Sequence, residues 1–457
     1  MSMFDNDIYY YPLIVHPLAV ERKDVKNSYF SLLQHFCKTL NAQDVLNSVR
    51  FGRYKKDYFA ENDYLSCDYK KVAKQILGTH FVPFKFFTYR FVFVFDCIYL
   101  FAYDDYERAK AICIEARKYI NRRYHKRLDD LVDDLFSGKQ ISGQYPLISE
   151  DMLVAWSSLQ VHRSTLDKKV IFTATMSAGK STLINAIFGK DFAFTKKAAC
   201  TSTVVGYIPM PIYHQNYLIC RTDADRMDCP AADVRNYLEA QHSSANLIGY
   251  CASILSKTKL SIYDSPGINS SQHPEHKTIT REALSNMQYD CVVYVISVEN
   301  YGSSDDYTHL KYILQHASYK KIIFVVNMLD TCDDEDDDIE AIIFDIRKHL
   351  SDIGFSNPAV CPISAKAGLL FKQKLLGQEL TQNAEKTRIE LQSKFNAQFF
   401  DLSCFYPNFL VNDLSIANTP NFLPGTEEFD KTNLITAYLH SGLPQFERML
   451  SEKIMEA

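Results

Sequence analysis

Residues 174–181 read AxxxxGKS, a set of residue types suited to one task, the holding of phosphate. In a tight small-residue turn, successive backbone N–H groups point inward and cradle phosphate oxygens. The helix that follows adds the positive end of its dipole. On this reading the loop residues Ser177, Ala178 and Gly179 and the first helical residues Lys180, Ser181 and Thr182 bind a nucleotide's phosphates. Lys180 would reach the outer phosphates, and the Ser181 hydroxyl would bind Mg²⁺. Ala174 stands where glycine is usual, and an alanine forced to positive φ is unfavourable there.

The rest of a nucleotide site follows in chain order. Thr201 and Thr203 lie in a polar stretch, where such a site needs a threonine to fold over the γ-phosphate and complete the Mg²⁺ shell. The segment LSIYDSPG places Asp264 at the end of a strand as an outer Mg²⁺ ligand, and Gly267 as a bare N–H for the γ-phosphate. Lys180, Thr201 and Gly267 are thus the candidate catalytic groups, and Ser181, Thr201 and Asp264 the candidate metal ligands. After the apolar run IIFVV comes Asn327-Met328-Leu329-Asp330. Guanine offers a ring N–H beside an exocyclic amine, and one carboxylate accepts from both, so Asp330 is the expected base reader with Asn327 bracing its loop. A lysine is usual at position 328. The flexible thioether of Met328 would cover the base face instead, giving retained but weaker specificity. Ser364-Ala365-Lys366 closes the set, with the Ala365 N–H facing the guanine carbonyl oxygen.

The elements that position these groups are legible from patterning. Val170–Phe172 is a short buried strand, and Leu183, Ile184, Ala186 and Ile187 give the next helix an apolar face. CVVYVISV (291–298) is a continuous apolar run, as a parallel strand covered on both faces requires. Each motif falls at a strand's carboxyl end, where ligands sit in open α/β sheets. The acidic run Asp333–Asp338 reads as the cap of a helix over 339–350.

Upstream, residues 1–165 read as a separate helical domain, with helical spacing at 25–40, 42–50, 66–77, 104–136 and 149–165. Arg122, Arg123, His125, Lys126 and Arg127 are either a solvated helix face or a contact for a phosphate surface. The aromatic stretch 81–103 is interrupted by Lys85, Arg90 and Asp96, so it reads as a buried element rather than a membrane span. Net charge is −5, which provides no basic footprint for nucleic acid. The 12 cysteines stand singly, without CxxC pairs, which points to a reducing compartment. The N-terminus lacks the basic-then-apolar pattern of a signal peptide, and a cytoplasmic location is expected.

The core resembles the dynamin-like large GTPases, especially bacterial ones. The likeness rests on SAGKSTLINAIFGKDF, on Thr201 twelve residues after Gly189, on DSPGINSSQHPEHKTIT, on SVENYGSSDD and on the closing SGLPQFERMLSEKI. It covers about residues 166–457. The resemblance implies an α/β P-loop GTPase domain with a mostly parallel sheet flanked by helices, preceded by an all-α N-terminal domain, with 371–457 a helical extension of the GTPase domain. It implies GTP as substrate, GDP as product, Mg²⁺ as cofactor, and a homodimer formed through the GTPase domain. It further implies a cation held near Ser177, and it leaves open a peripheral membrane contact and a protein partner for residues 1–165. The family's water-orienting glutamine corresponds to Met176, a side chain that cannot hydrogen-bond water in that role. A GTP-sensing switch with little hydrolysis is therefore the alternative expectation. Segment 378–440 is shorter than the family's helical trunk and membrane paddle together.

Overall fold

The computed structural model describes residues 16–42, 51, 68–78, 80–82, 85–87, 89–138, 141, 143–164, 167–193, 204–210, 217–222, 226–230, 245–268, 275–317, 321–333, 337–406 and 428–456. The expected helix over 42–50, the residue Thr201, and most of 401–426 lie outside the described residues. The chain divides into two compact units that part between Thr165 and Leu166.

The first unit is built from helices α1 (Lys23–Thr39), α2 (Tyr69–Leu77), α3 (Arg90–Phe101), α4 (Tyr106–Arg117), α5 (His125–Ser137) and α6 (Glu150–Ser164). A short antiparallel hairpin, β1 (His80–Val82) and β2 (Lys85–Phe87), is added to the helices expected there. The aromatic stretch thus resolves into that hairpin and α3, every residue of which is buried. An all-round apolar helix belongs at the centre of a core, and its two charges are accommodated. The Asp96 carboxylate accepts from Tyr29 Oη at 2.5 Å and lies 2.9 Å from His16 Nε2. The Arg90 guanidinium stacks 3.8 Å from the Tyr124 ring centroid. The single helix expected over 104–136 is two. The chain turns at 118–124, where the Asn121 side chain accepts from the Arg123 N–H and starts a short 3₁₀ turn.

In the second unit, nine strands form one sheet among the described residues: β3 (Lys168–Ala174), β4 (Val205–Met210), β5 (Tyr217–Thr222), β6 (Arg226–Pro230), β7 (Ala245–Tyr250), β8 (Leu260–Asp264), β9 (Cys291–Ser297), β10 (Ile322–Asn327) and β11 (Ala359–Pro362). Their spatial order is β11-β10-β9-β3-β8-β4-β7-β5-β6. Strands β11 through β8 run parallel, whereas β4 runs antiparallel to β8 and β5 is antiparallel to both its neighbours. The apolar runs of β3, β9 and β10 are buried along their length, as expected for strands covered by helices on both faces.

The helices are α7 (Lys180–Phe188), α8 (Glu275–Asn286), α9 (Ser304–His316), α10 (Ile339–Ile353), α11 (Ala365–Leu375), α12 (Gln382–Phe395), α13 (Glu428–His440) and α14 (Leu443–Glu456). Asp338 caps α10, accepting from the Ala341 N–H at 3.1 Å, as the acidic run suggested. The last helix buries Leu443, Phe446, Leu450 and Ile454 in the same core as the sheet.

Candidate functional site

Parallel register aligns the strand ends. Phe172 on β3 lies opposite Asp264 on β8, Ala174 opposite Val295 on β9, and Asn327 on β10 opposite Ser297. The loops leaving β3, β8, β10 and β11 therefore emerge along one edge of the sheet, and they carry the candidate residues.

The loop after β3 makes its turn with two left-handed residues, Ser177 (φ 63°) and Gly179 (φ 82°). Ala174 is not one of them. It is the last residue of β3 and is buried, so its replacement of glycine carries no positive-φ strain, contrary to the sequence expectation. Gly179 is needed for space as well as for φ: a Cβ there would lie 2.3 Å from Asn327 Nδ2. Helix α7 starts at Lys180, which puts Ser181 and Thr182, both half-buried, in its first turn.

Lys180 Nζ is paired with the Asp264 carboxylate, and both side chains are nearly buried. Burial raises the Asp264 pKa above the usual carboxylate range, and the Lys180 ammonium opposes that rise. The segment after Asp264 is fastened to the phosphate loop. Ser265 donates from both its N–H (3.1 Å) and its hydroxyl (3.0 Å) to the Phe172 carbonyl. The Ile268 N–H donates to Ala174 O at 3.3 Å, and the Met176 N–H to Ile268 O at 3.1 Å. Gly267 is thereby pressed on Met176, where a Cβ would meet the Met176 backbone at 3.3 Å.

Asn327 joins the phosphate side to the other side. Its Nδ2 donates to the Ala178 carbonyl at 3.0 Å, and its Oδ1 accepts from the Ala365 N–H at 2.9 Å. The bracing role expected of Asn327 has this geometry. The Ala365 N–H, expected to face a guanine oxygen, is instead committed to Asn327. Its neighbour Ser364 caps α11, accepting from the Ala367 N–H at 3.1 Å, and this cap turns the first helical N–H toward β10. The Ser364 hydroxyl also donates to Asp330 Oδ1 at 2.6 Å. Lys366 is exposed in the first turn of α11. Met328 is left-handed (φ 70°), and its methyl group lies 3.4 Å from where a Gly179 Cβ would stand. The thioether that sequence reading placed over a base thus leans on the phosphate loop, with its sulfur 3.3 Å from the Ser297 hydroxyl.

The structure therefore gathers Ser177 through Thr182 with Asp264 and Gly267, gathers Asp330, Ser364 and Ala365 beside them, and links the groups through Asn327. Lys394 went unnoticed in the sequence. From the last turn of α12 its ammonium donates to the Asp330 carbonyl at 2.9 Å and to the Cys332 carbonyl. A lysine near the end of a charged helix carries no local signal of this.

The oxygen donors fit a hard divalent cation. The Ser181 hydroxyl stands at the helix start, and the Asp264 carboxylate is within reach of the same Lys180 that would meet phosphate. Among the described residues no group of three or more His, Cys, Asp or Glu side chains could hold a metal ion. No helix among the described residues is long and apolar enough to cross a membrane.

Residues 170–329 match the family model described as the dynamin family. No curated protein matches the chain. Among solved structures, the chain is similar to one reported as an oligomerised bacterial dynamin pair providing a mechanism for long-range sensing and tethering of membranes. The identity is 13%, the match covers 82% of this chain and 57% of that one, and the TM-score is 0.35.

Proposed function

Because residues 170–329 match the dynamin family model, we propose that the protein binds GTP with Mg²⁺ and hydrolyses it to GDP and phosphate. The observation that carries this reading is the Lys180–Asp264 pair at the start of α7, tied through Asn327 to the Asp330 loop. An ammonium and a carboxylate held together at a helix N-terminus are what phosphate and a divalent cation would separate. In this reading phosphate takes Lys180, and Asp264, Ser181 and Thr201 hold the cation. Mg²⁺, when bound, neutralises charge on the β- and γ-phosphates. The chain's own part is positioning and electrostatics. The amides of Ser177 to Thr182 and the α7 dipole face the phosphates, and the Gly267 N–H approaches the terminal one. Asp330 accepts from the two adjacent N–H groups of guanine, held in place by Ser364.

Dimerisation through the GTPase unit would complete the catalytic arrangement, and location in the cytoplasm with peripheral membrane contact is part of the same proposal. A specific observation favours the second reading, a GTP-sensing switch: Met176 sits 43% exposed beside Gly267, where a thioether cannot orient a water molecule.

The deciding experiment is GTP turnover with Mg²⁺ across a range of protein concentrations, beside a nucleotide-binding titration. Turnover per molecule that rises with concentration is the expected result. Tight binding without turnover at any concentration moves the assignment to the switch. GTP binding retained in Lys180→Ala would overturn the site itself.

A further inference from the structure

The loop that carries Asp330 is unusual in having its cation come from outside. Position 328 is a methionine, and the residue adopts a left-handed conformation that side-chain-bearing residues rarely take. The short 3₁₀ turn Leu329–Thr331 that follows it leaves carbonyl groups at its end without helical partners. The Lys394 ammonium takes two of the loop's carbonyls, those of Asp330 and Cys332. It is itself placed by the ring of buried Phe400, whose centroid lies 4.3 Å from Nζ. Among the described residues, the Asp330 carboxylate is held at one oxygen, by Ser364. The backbone of Asp330 is thus gripped by α12 and its side chain by the start of α11.

We propose that Lys394 is a positioning residue for guanine recognition. It holds the Asp330 turn from below so that the carboxylate meets the ring N–H and the exocyclic amine together. The proposal rests on the reading of Asp330 as the group that binds guanine. It assigns to α12 a part in base selectivity, supplied some sixty residues downstream of the reading loop.

The discriminating measurement is the ratio of GTP to ITP affinity, each titrated with Mg²⁺. ITP keeps the ring N–H and lacks the exocyclic amine, so the ratio reads how well one carboxylate spans both donors. Lys394→Met keeps the stem on Phe400 and removes the ammonium. It is expected to lower the ratio about tenfold, the value of one well-placed hydrogen bond to a charged group. Lys394→Arg, which still donates to both carbonyls, is expected to keep the ratio within about twofold of the unaltered protein. If the methionine variant fails to fold, Lys394→Gln, with a neutral donor, is expected to fall between. A ratio unchanged in Lys394→Met or Lys394→Gln, with GTP and ITP affinities moving together or not at all, makes Lys394 purely structural and overturns the proposal. An unaltered protein that binds GTP and ITP equally overturns the Asp330 reading beneath it, which is a separate and recognisable failure.

Discussion

Gly179→Ala tests the joint between the phosphate loop and the base side, and its cost can be worked from the structure. The residue sits at φ +82°, where an alanine pays about 1–2 kcal/mol for a left-handed backbone. Its Cβ would stand 2.3 Å from Asn327 Nδ2, so the Asn327 amide must withdraw from the Ala178 carbonyl. Asn327 is 2% exposed, and a buried polar pair separated in this way costs about 1–3 kcal/mol. The expected total is about 2–5 kcal/mol. Gly302→Ala, in the same unit, separates the two contributions. Its φ is +74°, but the nearest atom to an added Cβ is His349 Cε1 at 4.0 Å, so only the backbone cost applies. Urea unfolding of both variants should be followed by far-ultraviolet circular dichroism, because the single tryptophan, Trp156, lies in the first unit. A difference of about 1–3 kcal/mol between the variants is the expected value of the joint. Equal losses would refute the reasoning, because Asn327 would then yield its bond at no cost.

Asp330→Asn should weaken GTP binding and favour XTP, since xanthine presents a carbonyl where guanine has its amine and asparagine offers an N–H₂; competition titration of the two nucleotides checks this. Lys372 and Glu447 form a buried pair at 2.7 Å, and Lys372 also donates to the Ile187 carbonyl at the end of α7. Lys372→Met is expected to cost about 3–5 kcal/mol by stranding the carboxylate, and Glu447→Leu added to it should recover much of that loss in denaturant unfolding. His309 lies 3.0 Å from the Thr173 hydroxyl, and burial, aided by Arg281 and Lys277, pushes its pKa down to about 3. The imidazole is therefore neutral in the folded protein but takes a proton in the unfolded chain below about pH 6.5. Its contribution to stability is full above that pH and is lost as pH falls toward 3, at up to about 1.4 kcal/mol per pH unit. Unfolding free energies at pH 7 and 5 should show this slope, reduced in His309→Gln.

Much of this fold is visible in the chain because the physics is local. A strand buried on both faces needs an unbroken apolar run, so β3, β9 and β10 announce themselves. The left-handed glycine of the phosphate loop and the cap at Asp338 are likewise written in adjacent residues. The division of 104–136 into two helices was not legible, because helical spacing continues across the break and only the Asn121 cap ends it. The register of β4 and β7 depends on pairing between distant segments, and periodicity within either strand does not reveal it. In the site, the residue types were readable and the hydrogen bonds were not. The Ala365 N–H could face a ligand or Asn327, and the cap at Ser364 decided between them. Lys394 was invisible because its partners lie in another element.

The position of β3 has a consequence for how the chain is made. This strand is central in the sheet, yet its partners arrive late: Val170 pairs with Ile262 and Cys291, the latter roughly 120 residues onward. At ribosomal speeds of about 5–20 residues per second, β3 waits on the order of ten seconds for both neighbours. Lys372, which donates to the Ile187 carbonyl at the end of α7, follows later still, and its partner Glu447 later again. The helices of the first unit, all made by Ser164, are free of that delay. The nascent second unit instead carries an apolar strand with an open edge until β9 has been made, and this is the interval in which a chaperone would be needed.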